Sequence, residues 1–221
     1  MSYKRSQLEE AITRLFNPGS NKPASELRTR IKRLLELDRN LGRKLRSPDA
    51  EESNFAFFSE EAPGTGADIL FSEYEAFALL NALRIMEHGW PQSFAVSIMR
   101  RLRPDLTKEH ARILRQDPKE LFGPDAIGKK KPSPGDLVVD NTDPVFLTVV
   151  SKHRASDETK TVPECAVCRG LEAVNKFRHQ MSASSWTMWE VATIAHKLRE
   201  QLSKTEPRRR GRVSVPTARG T

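Results

Sequence analysis

Cysteine is scarce: two residues in 221 cannot frame a disulfide-stapled fold. No apolar run is long enough to cross a bilayer, and the opening MSYKRSQLEE lacks the apolar core of a signal segment. The expectation is a cytoplasmic chain with no membrane partner. Glycine-rich phosphate loops, a nucleophile elbow and paired catalytic carboxylates are all missing, so neither an enzyme nor a cofactor is expected. Basic residues are missing from one long stretch: Ser47 to Ala78 carries 8 acidic side chains and no Lys or Arg.

What is present is sorted charge. The formal net charge is +8, with 30% charged and 37% hydrophobic residues. Residues 1–46 hold 12 Lys/Arg against 5 Asp/Glu, and the end from Ser203 onward is again basic. Two positive ends around an acidic block favour a polyanionic partner, with duplex DNA the leading expectation.

Apolar periodicity predicts a helix over SQLEEAITRLF, with Leu8, Ala11, Ile12 and Leu15 on one face. After NPGSNKP a second helix, about 23–39, buries Leu27, Ile31, Leu34 and Leu35. Its outward side carries Thr29, Lys32, Arg33 and Glu36, flanked by Arg28 and Arg30. FAFF and DILF, on either side of a Pro-Gly-x-Gly loop, read as a β-hairpin with an acidic tip. Ser72-Glu73-Tyr74-Glu75 is a capping box preceded by Phe71 in staple position, and Gly89 ends that helix. A further helix starts after Pro91 and is expected to stop at Pro104, with Thr107 capping one more short helix.

The Pro-, Gly- and Lys-rich run DPKELFGPDAIGKKKPSPGD marks a boundary. Beyond it DLVVD, PVFLTVVSKH and TVPECAVC read as strands, while GLEAVNKFRHQM and SSWTMWEVATIAHKLREQL read as helices. The expected division is residues 1–117, a linker over 118–135, a small α+β unit over 136–203 and a disordered basic tail over 204–221. The fold class is α+β and mainly helical, and the second unit is a possible site of homo-oligomer contact.

The order helix, turn, basic helix, hairpin, capped helix, glycine turn, helix resembles the mercury-resistance-regulator (MerR) family of bacterial winged-helix DNA-binding proteins. The resemblance covers roughly Ser6 to Leu106 and is strongest over DILFSEYEAFALLNALRIMEHGW. YKRSQLEEAITRLF and LRTRIKRLLELDR are also similar to uncharacterised bacterial proteins. The family likeness implies a transcriptional regulator whose second helix reads DNA through Arg28, Arg30, Lys32 and Arg33, on a scaffold of the two later helices. Arginine there can pair with guanine edges, and Arg100 on the scaffold would meet phosphate. No long coiled-coil helix follows Leu102, so the family's dimer is not implied.

The last segment, EPRRRGRVSVP, is similar to an AT-hook and adds Arg208, Arg209, Arg210 and Arg212 as expected minor-groove contacts. The acidic hairpin supports a different class of function, a protein-interaction adaptor of winged-helix shape that does not touch nucleic acid. Cys165-x-x-Cys168 can be half a zinc site or a redox pair, against the plainer reading of two buried thiols.

Overall fold

The computed structural model describes residues 1–20, 22–64, 69–127, 140–151, 164–181 and 185–207. The chain opens with β1 (Ser2–Lys4), α1 (Arg5–Phe16), α2 (Ser25–Leu41) and the single turn α3 (Ala50–Ser53). Then come β2 (Leu70–Ser72), α4 (Glu73–Glu87), α5 (Gln92–Ile113), α6 (Pro118–Phe122) and α7 (Pro124–Ile127). The remaining elements are β3 (Val145–Ser151), β4 (Glu164–Arg169), α8 (Gly170–Met181), β5 (Ser185–Glu190) and α9 (Ala192–Ser203). The fold is α+β and mainly helical, with two small antiparallel sheets.

The capping box at the head of α4 forms as the sequence requires. Ser72 Oγ accepts from the Glu75 amide at 3.2 Å, and the Ser72 amide donates to Glu75 Oε2 at 2.7 Å. Gly89, at φ +87, supplies the left-handed stop after α4.

Three expectations are corrected. Phe55–Phe58 forms no strand, so there is no FAFF–DILF hairpin; β2 pairs instead with β1, Tyr3 opposite Phe71. The phenylalanine segment is buried, and side chains from two helices bond part of its backbone. The Ala56 and Phe57 amides donate to the Asp38 carboxylate at 2.9 Å each, and Arg103 donates to the Phe55 carbonyl at 2.8 Å. Those two amides and the Phe55 carbonyl are thus occupied by side chains and are not offered to a β-partner.

Pro104 does not end α5. The proline removes one helical donor, yet the apolar face continues through Leu106 and Ile113, both fully buried. Thr107 is inside the helix, its hydroxyl bonded back to the Arg103 carbonyl at 2.7 Å.

SSWTMWE is strand β5, not the start of a helix. It pairs with β3 from Phe146↔Glu190 to Ser151↔Ser185, and the helix begins only at Ala192. Glu190, one residue before the N-cap Val191, accepts from the Ala192 and Thr193 amides at 2.8 and 3.0 Å and so satisfies two free donors of the first turn of α9.

The second sheet has the order β4-β3-β5. Val145, Leu147, Val149 and Trp189 face the helical core, while Phe146 and Met188 face α8. One core takes in residues on both sides of the expected boundary at 117–136, from Leu8 of α1 to Leu202 of α9. Gln7 Nε2 donates to the Thr205 carbonyl at 3.2 Å where α1 meets the end of α9. The expected strand DLVVD lies outside the described residues, apart from Asp140.

Candidate nucleic-acid interface

The interface expected from the sequence is built on α2, a helix of 17 residues and therefore about 26 Å long. Its buried stripe is Ile31, Leu34, Leu35 and Asp38, with Leu27 half-buried beside it. The 3.6-residue period then turns Thr29, Lys32, Arg33 and Glu36 outward and leaves Arg28 and Arg30 on opposite flanks.

Three of these cations have carboxylate partners. Arg28 Nε lies 3.5 Å from Glu9, Arg30 is 2.5 Å from Glu26, and Lys32 Nζ is 3.6 Å from Glu36. Arg30–Glu26 and Lys32–Glu36 are exposed on both sides, and such pairs are worth about 0–1 kcal/mol, so a phosphate can compete with them. Glu9 is only 10% exposed and also holds Arg5 at 2.7 Å. Arg33 is exposed and has no ion-pair partner among the described residues. The face is thus positive and open to exchange.

Arg100 does not belong to this surface. Its side chain is 4% exposed, and its Nε lies 2.6 Å from Asp38 Oδ1, whose own side chain is 0% exposed. It also donates to the carbonyls of Asp38 (2.8 Å), Gly42 (2.6 Å) and Glu51 (3.3 Å). The guanidinium caps the last turn of α2 and fastens the segment that follows; it cannot reach a phosphate. The sequence carries a signal for this arrangement. Asp38 falls four residues after Leu34 and seven after Ile31, on the buried stripe of α2, so its carboxylate requires a buried cation.

The segment after α2 holds cations that the periodicity of α2 does not point to: Arg43, Lys44 and Arg46. Lys44 and Ser47 close a hydrogen-bonded turn, the Ser47 amide donating to the Lys44 carbonyl at 2.9 Å. Arg43, Lys44, Leu45, Arg46 and Ser47 line one open concavity with Glu52 and Glu61. The signal in the sequence is the density of GRKLR directly after a helix end.

The acidic block is mostly engaged within the fold. Glu51 pairs with Arg101 at 2.8 Å, Glu52 with Lys44 at 3.0 Å, Glu61 with Arg43 at 3.3 Å and Glu73 with Arg199 at 2.9 Å. Glu75 serves the capping box, and Asp49 accepts from the Glu51 amide at 2.8 Å. Of the expected acidic tip, Glu61 is held in such a pair, Glu60 is exposed, and Asp68 lies outside the described residues.

Cys165 and Cys168 sit three residues apart on β4, and alternation sends them to opposite faces of the sheet. Cys165 packs with Val167 toward the helical core, while Cys168 packs with Phe146 and Val174 under α8. They cannot ligate one ion or bridge to each other from these positions. Burial pushes the Cys165 thiol up to about 12 and raises Cys168 as well. Among the described residues there is no group of three or more His, Cys, Asp or Glu side chains placed to hold a metal ion.

Arg208, Arg209, Arg210 and Arg212 lie outside the described residues. No helix among the described residues is long and apolar enough to cross a membrane. Comparison with protein-family models, with characterised proteins and with solved structures finds no match to this chain.

Proposed function

We propose that the chain binds duplex DNA, laying the outward face of α2 against the double helix, and that it acts as a regulator of transcription. The observation that carries this reading is the exposed basic surface of α2, on which Arg28, Arg30, Lys32 and Arg33 remain accessible around a helix held rigidly from behind. A helix of about 10–12 Å diameter fits the B-form major groove, about 12 Å wide. Arg33, midway along α2 and without an ion-pair partner among the described residues, is the first choice for a guanine edge. Lys32 and the flanking arginines suit phosphate.

The same reading makes the order α1, α2, β2, α4, α5 a variant of the winged helix. In this variant the N-terminal strand β1, not Phe55–Phe58, partners β2. The α4–α5 pair is then the scaffold behind the reader, and the Asp38–Arg100 pair ties scaffold to reader. The alternative is a protein-interaction adaptor of the same shape: of the acidic tip that suggests it, Glu61 pairs with Arg43, Glu60 is exposed, and Asp68 lies outside the described residues.

Fluorescence anisotropy with a labelled mixed-sequence duplex tests the proposal. About six phosphate contacts predict an affinity loss near three orders of magnitude between about 50 and 200 mM salt. Absence of binding at the lower salt removes the DNA reading.

A further inference from the structure

The turn after α2 places an apolar side chain where a turn has no use for one. Leu45 and Arg46 occupy the two central positions of the Lys44–Ser47 turn, positions that usually go to Gly, Pro, Asn or Asp. Leu45 is 69% exposed, and Leu41, one turn earlier at the end of α2, is 57% exposed.

The turn is braced from several sides. The Lys44 amide donates to the Glu52 carbonyl at 2.8 Å, and Ser47 Oγ donates to Glu52 Oε2 at 2.9 Å. Arg100 holds the Gly42 carbonyl at the base. A leucine on a fixed projection can be pushed into a partner without the turn folding away beneath it. Arg43 and Lys44 precede it, paired with Glu61 and Glu52 of the same concavity, and Arg46 beside it is exposed with no ion-pair partner among the described residues.

An exposed aliphatic side chain flanked by arginine, on a rigid loop next to a basic helix, matches the chemistry of a minor-groove wedge. Such side chains enter between base steps and kink the duplex, while arginine follows the negative groove. We infer that the Lys44–Ser47 turn is a second DNA-contacting element, with Leu45 inserted at a flexible base step and Arg46 on the minor-groove edge beside it. The inference rests on the DNA-binding reading and adds that the bound duplex is bent. An anionic membrane is the weaker partner. One or two leucines are a small fraction of the apolar face that an interfacial segment embeds, and the outward side of the preceding helix carries Thr29, Lys32, Arg33 and Glu36, with only Leu41 exposed at its end.

The test uses the full chain and duplexes of about 30 base pairs, labelled at both ends for energy transfer, with central TA steps or none. The wild-type protein is expected to shorten the end-to-end distance and to prefer the TA duplex by about tenfold. Leu45→Ala should still bind, with most of the bend and the TA preference lost. Arg46→Ala should weaken all duplexes alike and lower the salt slope by about one. Both side chains are exposed, so neither change should disturb the fold, which circular dichroism checks. If Leu45→Ala bends DNA as the wild type does, the wedge is refuted while the DNA reading stands. If the wild-type chain binds no duplex at low salt, both fall. Leu45-dependent binding to phosphatidylserine–phosphatidylcholine vesicles without DNA binding would replace the groove with a membrane surface.

Discussion

Replacing Arg100 with methionine should damage stability far more than any change on the outward face of α2. Methionine keeps much of the aliphatic bulk in α5 but leaves the Asp38 carboxylate at 0% exposure with only the Ala56 and Phe57 amides, and no countercharge. The carbonyls of Asp38 and Gly42 lose their donor in the same step. Breaking a buried pair by removing one partner costs about 3–5 kcal/mol, against a total of about 5–15 kcal/mol for a whole domain. Urea unfolding followed by the fluorescence of Trp90, Trp186 and Trp189 reads the effect. With a slope of about 3 kcal/mol per molar urea, the midpoint should fall by about 1–1.7 M. The double variant Asp38→Ala/Arg100→Met removes both charges and should be less destabilised than the two singles summed, by about 1–3 kcal/mol. A loss below about 1 kcal/mol in Arg100→Met, or strict additivity of the pair, would refute the latch.

His110 is packed against Phe77, with ring centroids 4.6 Å apart, and burial pushes its pKa down to about 4. The unfolded chain therefore binds a proton that the folded chain does not as pH falls from about 6.5 toward 4, so stability is lost across that window. The full loss is on the order of 3 kcal/mol, and His110→Leu should flatten that part of a pH–stability profile measured by urea unfolding. The thiols should be slow: a chromogenic disulfide reagent should titrate both cysteines in denaturant but react little with the native protein at neutral pH. Cys165→Ala/Cys168→Ala should fold with unchanged metal content at about 1 kcal/mol per site. Bound zinc lost on that substitution would contradict the opposite-face geometry.

The elements read from the sequence are those whose signals are local. The stripes of α1, α2 and α8, the Ser72–Glu75 capping box and the branched run of β3 each lie within a few residues, and the structure has all of them. What escaped depends on contacts distant in the chain. Phe55–Phe58 has strand composition, but Asp38 and Arg103 bond its backbone from two helices. Trp186 and Trp189 have a helix-compatible spacing of three, yet the β3 edge some 40 residues earlier claims them as strand. Among the candidate contacts, the outward set on α2 was legible because burial of Ile31, Leu34 and Leu35 fixes the opposite face. Arg100 has the sequence signature of a surface residue, because charge alone does not tell an exposed cation from a buried one. Its partner Asp38, set among leucines, carries that information. The projection of Leu45 and Arg46 depends on the bonds to Glu52 that brace the Lys44–Ser47 turn, which no local periodicity marks.

The central claim is that the basic face of α2 is the DNA-binding surface, and the salt dependence of affinity tests it most directly. Log Kd against log salt should be measured on one duplex for the wild-type chain and for Arg28→Ala/Lys32→Ala/Arg33→Ala, in which the three side chains are exposed and the buried stripe is untouched. The account predicts that the triple variant folds normally, binds more weakly at every salt concentration, and has a slope shallower by about three. A triple variant with the wild-type affinity and slope would contradict it.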